Sequence, residues 1–306
     1  YGRIPANTPK VAWEVTKTED DGAVKTKTIV GKIDNSIHPA RSPTIEITLK
    51  TPSKAAGPVP VVVYAQAFGG GGGRGRGGPG GAATPPAAAP GATTAAPAAN
   101  APATAAAAVP GTPAPAGRGG RGPAGPSLET LTLEKGWGYA TFNTASVQPD
   151  NTAGLTQGII GLMNKGEMRT KPDEWGVLMA WSWGLSKAID YFETDRDVDA
   201  KQLAVDGFSR WGKTAVLAAS VDTRWAIAWA GKSGESDTKM NHRNVGETVD
   251  MVAQNFPYWM AGNFQKFVGR WEDMTVDSHE LVALVAPRPV FITAGTTDLH
   301  TDPKGM

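Results

Sequence analysis

The 306-residue chain has no cysteine. That excludes disulfide frameworks, thiolate zinc and iron–sulfur sites, and a cysteine nucleophile. Histidine is scarce, with only His38, His242, His279 and His300. No His/Asp/Glu group has metal-ligand spacing, so neither a metal nor a cofactor is expected. Charge of either sign is not in excess: 30 basic and 29 acidic residues leave a formal charge of +1. Near-neutrality argues against a protein that coats nucleic acid or an anionic membrane. No apolar run approaches the ~20 residues of a spanning helix, so the reading is of a soluble chain without a membrane partner. An initiator Met and a charged-then-apolar leader are also missing.

What the chain does have is one strongly biased block. Gly69 to Pro126 holds 17 Gly, 11 Pro, four Arg and no acid. Such a composition offers too little large apolar surface to offset the entropy of ordering it. It is therefore expected to be a disordered, low-complexity insertion over 69–126 within one domain spanning 1–306. Gly73-Arg74-Gly75-Arg76 and Gly117-Arg118-Gly119-Gly120-Arg121 look like RNA-binding RGG segments. Four arginines without interleaved aromatics are thin for that task, and no nucleic-acid partner is expected.

Outside the block, short β-branched runs alternate with helical patterns. Thr44–Leu49 alternates with period two, and Val59–Tyr64, Trp137–Phe142, Asp199–Val205, Trp225–Ala230 and Val290–Ala294 read as further strands. Between them, Trp175–Phe192 (started by Lys171-Pro172-Asp173-Glu174), Lys213–Ser220, Gly246–Asn255 and Glu280–Val285 read as helices. Strands separated by helices imply an α/β three-layer sandwich, a mostly parallel sheet with helices on both faces. Ligands in such folds sit at the carboxyl ends of the strands.

At one strand end the chain reads Leu203-Ala204-Val205, then Gly207-Phe208-Ser209-Arg210-Trp211-Gly212-Lys213, then a helix. This is the setting of a nucleophile elbow, in which a sharp turn lifts a serine hydroxyl out of the sheet. The following backbone N–H, at a helix N-terminus, is placed to stabilise an oxyanion. The usual second glycine is replaced by Trp211, with Gly212 after it. An ordinary glycine turn before a helix is the competing reading of these residues alone.

Gly-x-Ser-Arg-x-Gly-Lys resembles the signature of the glucuronoyl esterases of carbohydrate esterase family 15, enzymes that cut uronic-acid esters in lignocellulose. Asp173-Glu174-Trp175-Gly176, Trp181-Ser182-Trp183-Gly184, Gly246-Glu247-Thr248-Val249, Asn255-Phe256-Pro257-Tyr258-Trp259, Asp277-Ser278-His279-Glu280-Leu281 and Ala286-Pro287-Arg288-Pro289 resemble its bacterial branch. The resemblance implies an α/β-hydrolase fold with Ser209 as nucleophile and Arg210 stabilising the oxyanion. It implies that Lys213 and Glu247 hold uronate hydroxyls, where a solvated helix face is the alternative. Trp211 is the candidate for the site wall, while Trp181, Trp183, Trp225 and Trp229 fall in core patterns.

Many members carry the triad acid in the loop after the strand that follows the elbow helix. Lys232 stands there and cannot do a carboxylate's work. The later family position is Asp298, which also fits the Ser…Asp…His order of this fold. Glu235 ranks below it. His300 stands where the family usually has a sugar-lining tryptophan. His279 reads as structural, and His38 and His242 lack a supporting context. The catalytic histidine is accordingly expected beyond Met306, in a C-terminal part that the chain lacks.

Together these readings predict a serine carboxylesterase for (4-O-methyl-)glucuronate esters such as those in glucuronoxylan, secreted or periplasmic, and a monomer. An esterase for other carbohydrate esters such as acetyl groups, and an inactive hydrolase-like binding protein, are the alternatives.

Overall fold

The computed structural model describes residues 1–67 and 125–306. The predicted insertion at 69–126 lies almost wholly outside them. Two strands beyond those the sequence pattern predicts come first, β1 (Val11–Asp20) and β2 (Val24–Ile33), paired antiparallel. Their turn is made by Asp21, whose carboxylate accepts from the backbone N–H of Ala23 (2.8 Å) and Val24 (2.7 Å), with Gly22 at φ +85°. An Asp-Gly pair between β-rich runs is the expected hairpin signal, but the solvent-facing polar residues of β1 mask its period. The pair is fastened from below: Trp13 packs on Tyr191 (ring centroids 5.4 Å), and the Lys27 ammonium bridges Asp195 (2.6 Å) and Asp197 (2.9 Å).

The chain continues through β3 (Thr44–Pro52), β4 (Val59–Gln66), α1 (Leu128–Glu134), β5 (Gly138–Asn143), α2 (Thr144–Val147), α3 (Gly158–Met163) and α4 (Val177–Phe192). Then follow β6 (Val198–Phe208), α5 (Arg210–Val221), β7 (Ile227–Gly231), α6 (Val249–Asn255), α7 (Ser278–Ala283) and β8 (Val290–Thr293). All eight strands form one sheet in the order β1-β2-β3-β5-β4-β6-β7-β8. β5, β4, β6, β7 and β8 run parallel, and the first three strands add on antiparallel.

Central strands buried on both faces read as near-continuous apolar runs, and β4 (VPVVVYAQ) does so. Its register sets Val61 beside Leu203, Val63 beside Val205 and Ala65 beside Gly207. One face carries Ile45, Ile47, Leu49 and Phe142, all buried, under α4, whose Gly184 lies against the Phe142 ring. The other face of β3 carries Lys50, which is ion-paired to Glu129 of α1. Helices thus cover both faces, as the alternating pattern predicts.

α4 begins later than the sequence suggests. Lys171-Pro172-Asp173-Glu174 is a turn, in which the Glu174 carboxylate accepts from the Lys171 N–H (3.0 Å). The helix starts at Val177 because its first orphan N–H groups find tertiary acceptors, Val177 on the Tyr258 carbonyl (3.0 Å) and Leu178 on that of Trp259 (3.3 Å). Gly176 is required there, since a Cβ would fall 2.1 Å from the Trp259 carbonyl oxygen. Trp181, Trp183 and Trp225 are core residues as predicted, and Trp229 is half-buried with its edge toward Phe291.

Candidate active site

At the carboxyl end of β6, Ser209 has φ +60° and ψ −126°, a region that L-residues rarely occupy. The surroundings over-determine it. A Cβ on Gly207 would sit 2.2 Å from the Trp211 carbonyl oxygen, and one on Gly212 would press on Gly207, Gly231 and Ser233. The Ser209 N–H donates to the Gly231 carbonyl of β7 (2.7 Å), and its own carbonyl accepts the first α5 bond from Lys213 (3.0 Å). A strained serine between a central parallel strand and a helix N-terminus has the geometry of a nucleophile elbow, with α5 starting at the residue after it.

Arg210 is caged. Its guanidinium lies 4.9 Å from the Trp259 ring centre, 5.3 Å from Phe256 and 5.9 Å from Trp211, and pairs with Asp150. Phe256 and Trp259 are themselves stacked, 3.8 Å apart, and the Trp259 indole N–H donates to the second oxygen of Asp150 (2.8 Å). Cation–π contact plus an ion pair holds a side chain that is otherwise rich in rotamers. Asp150 has no sequence motif of its own, whereas the Phe256–Trp259 segment was visible as one. Trp211 is half-buried at the elbow, its indole N–H on the Thr144 hydroxyl (3.0 Å) and its ring beside the Arg210 guanidinium.

Lys213 departs from the expectation. It is 1 % exposed, and its ammonium donates to the carbonyls of Ser233 and Glu235 and to the Glu247 carboxylate (2.9 Å). An ammonium has three donors, and all three are spent inside the protein. Lys213 is thus bonded to Glu247, and both residues are buried rather than on a solvated helix face. Burial works to raise the Glu247 pKa, but the Lys213 charge overrides it and holds the carboxylate below its ordinary range. The second Glu247 oxygen lies 3.9 Å from the ring of His300, which is well exposed. Gly246 lets the two loops close, since a Cβ there would meet the His300 carbonyl oxygen at 2.3 Å.

Asp298 and Lys232, the two residues at the alternative acid positions, are in contact. The Lys232 ammonium lies 2.9 Å from Asp298 Oδ2, which also accepts from the Thr301 hydroxyl (2.8 Å), and Oδ1 accepts from the His300 N–H (3.1 Å). Partial burial alone would raise the Asp298 pKa, but Lys232 and Thr301 outweigh it and keep the carboxyl below its usual range. Glu235 is committed elsewhere, in a fully buried pair with Lys239.

Among the described residues no histidine bonds the Ser209 hydroxyl. His242 Nδ1 is engaged by Asp277 (2.7 Å), which raises the ring's pKa, and His300 is turned to Glu247. An apolar cavity of about 710 Å³ is lined among others by Phe264, Phe267, Met274, Asp277, Leu281 and Leu284, and by none of Ser209, Arg210, Glu247, Asp298 and His300. The described residues contain no group of three or more potential metal ligands, and no helix long and apolar enough to cross a membrane.

A parallel α/β sheet with a strained serine after a central strand defines the α/β-hydrolase class. Comparison with known proteins narrows this. The family model "Glucuronyl esterase, fungi" matches residues 115–306, and the chain belongs to the glucuronoyl esterase family. It is 39 % identical over 175 residues to carbohydrate esterase MZ0003 of an unknown prokaryotic organism, covering 56 % of this chain and 40 % of that protein. It is 31 % identical over 129 residues to a 4-O-methyl-glucuronoyl methylesterase of Podospora anserina, covering 38 % of this chain and 26 % of that protein. Among solved structures, a glucuronoyl esterase from Teredinibacter turnerae superposes with a TM-score of 0.76 at 28 % identity, over 100 % of this chain and 66 % of the other. The aligned segments thus span 40 % or less of these two sequence relatives.

Proposed function

We propose that this chain is the nucleophile-bearing part of a serine carboxylesterase that hydrolyses esters of glucuronic acid or its 4-O-methyl ether. The observation that carries the reading is the Ser209 elbow with a caged Arg210 beside it. Ser209 Oγ attacks the C6 carbonyl, and a histidine base takes its proton. The oxyanion faces the Arg210 N–H and guanidinium, positioned before charge develops. The alcohol leaves with the proton returned by the base, and water then cleaves the acyl-enzyme by the same route. Asp298 acts as the carboxylate behind the base, and Glu247 and His300 meet sugar hydroxyls. None of the four histidines bonds Ser209, so the base is assigned to the portion of the fold that relatives have and residues 1–306 do not span. The substrate class, glucuronoxylan-linked esters, places the enzyme outside the cytoplasm.

A second reading, a hydrolase-like binding protein, is favoured by the same lack of a bonded base. Both are tested in the full-length protein with benzyl glucuronate, an aryl acetate and a fluorophosphonate. Turnover of the glucuronate that disappears in Ser209→Ala supports the esterase. Preference for the acetate would move the substrate class. No labelling and no turnover would leave the binding protein.

A further inference from the structure

We propose that Lys232 is a positioning residue for the triad: it holds Asp298 so that one defined oxygen, Oδ1, is presented to the base. This rests on the reading of Asp298 as the acid. A carboxylate has about four lone-pair sites. Oδ2 is filled by the Lys232 ammonium and the Thr301 hydroxyl, and Oδ1 takes only the His300 N–H. The single acceptor site left is on Oδ1. An imidazole N–H has one place to bond, with the carboxylate's rotation blocked from two directions.

The backbone supports the assignment independently. Lys232 has φ +51°, where a non-glycine residue is strained and glycine would be cheaper, yet a lysine stands there between Gly231 and Ser233. Its N–H donates to the Thr293 carbonyl of β8 (2.7 Å), which locks the β7 loop to the strand that delivers Asp298. The side chain then reaches across to the same loop. Strain retained at a strand end beside the nucleophile is spent on aiming a side chain.

The charged groups around Asp298 are few. Lys232 faces it from the β7 loop, while His300 on its own loop points its ring to Glu247, whose other oxygen is on Lys213. Lys232 is therefore the cation in direct contact with the carboxylate assigned to the base. A cation beside the dyad disfavours imidazolium, so it lowers the base's pKa. Removing it raises that pKa, and since the attacking enzyme needs a neutral base, the acid limb of activity moves to higher pH.

The test compares Lys232→Met, Lys232→Gln, Lys232→Arg and Asp298→Asn in the full-length esterase, with kcat and KM on benzyl glucuronate across pH 5–9. Lys232 is 37 % exposed at its side chain, so these variants are expected to fold, and the neutral Gln keeps the stem if Met does not. The expected result for Met and Gln is a kcat lowered roughly three- to thirty-fold with KM little changed. The acid limb should also move up by about half to one pH unit. Arg should restore both. A lowered melting temperature with an unmoved limb and kcat would reduce Lys232 to a loop stitch and overturn the proposal. Full activity in Asp298→Asn would instead overturn the acid assignment, and the proposal with it.

Discussion

The elbow and the acid rim lie at the ends of neighbouring strands, yet they are built by different physics. The elbow spans residues 207–212 and is made by contact distances: Gly207, where a Cβ would overlap the Trp211 backbone, Gly212, where one would be tightly packed, and a serine at positive φ between them. The rim is assembled from residues 213, 232, 235, 239, 247, 298, 300 and 301, and charge pairs and lone-pair occupancy hold it. Steric construction is local, and an added Cβ at its tightest point, Gly207, cannot be placed without a shift of backbone. Electrostatic construction is distributed, and a member can change role while remaining in place. Lys232, at one candidate acid position and ion-paired to Asp298 at the other, fits such a change.

The largest effect that would sharpen this contrast is on the rim. Asp298→Asn should cost up to about 10⁴-fold in kcat, because it removes the charge that stabilises the imidazolium. Glu235→Gln should cost far less activity while lowering stability, since it breaks a fully buried pair. Equal activity losses, or the reverse ranking, would put the acid in the β7 loop. On the elbow side, Arg210→Lys should lower kcat about 10²–10³-fold, because an ammonium neither stacks in the Trp259–Phe256 cage nor reproduces the guanidinium fork. A loss below tenfold in a rate assay would reduce Arg210 to its backbone N–H.

Gly207→Ala tests the steric half directly. It should lower unfolding free energy by about 3 kcal/mol in a urea titration, at the upper end for overpacking. A midpoint close to wild type would show that the turn can relax and that the elbow is less rigid than the contact distances require.

The smallest effect expected is pH-dependent and lies under the elbow. Asp206 on β6 is 5 % exposed, and burial pushes its pKa up to about 7 from an ordinary value near 3.8. The folded state therefore holds a proton that the unfolded state has lost across this interval. That stabilisation is complete below the unfolded pKa and is lost as pH rises through about 7. Asp206→Asn should accordingly reduce the decline in unfolding free energy, read from urea titrations between pH 5 and 8, by about 2 kcal/mol. Glu235 and Asp237, also raised to about 7 by burial, keep part of the decline in place. A variant with the wild-type slope would mean that Asp206 is already neutralised by a partner.

Several features were legible before any fold was known. β4, β6 and β8 follow from their apolar runs, and Gly207-x-Ser209 between strand and helix marks the turn that the structure strains at Ser209. Others were hidden for a physical reason. β1 alternates only over Val11, Trp13 and Val15; its second half is polar and faces solvent, so the apolar signal is too short to mark a ten-residue strand. The start of α4 depends on carbonyls of Tyr258 and Trp259, some eighty residues away. Asp150 carries no motif, because an ion pair with Arg210 leaves no trace in local pattern.

The sequence by itself determined what depends on nearest neighbours: the absence of thiol chemistry, the buried parallel strands and the glycine-framed turn that strains Ser209. Tertiary structure alone decided what depends on partners distant in the chain. It buried Lys213 and saturated its three donors, turned His300 toward Glu247 and placed the Lys232 cation on Asp298. The reason is range. Backbone sterics act across a few bonds and are written in residue order, whereas the state and role of a charge depend on which groups the fold brings within about 4 Å of it.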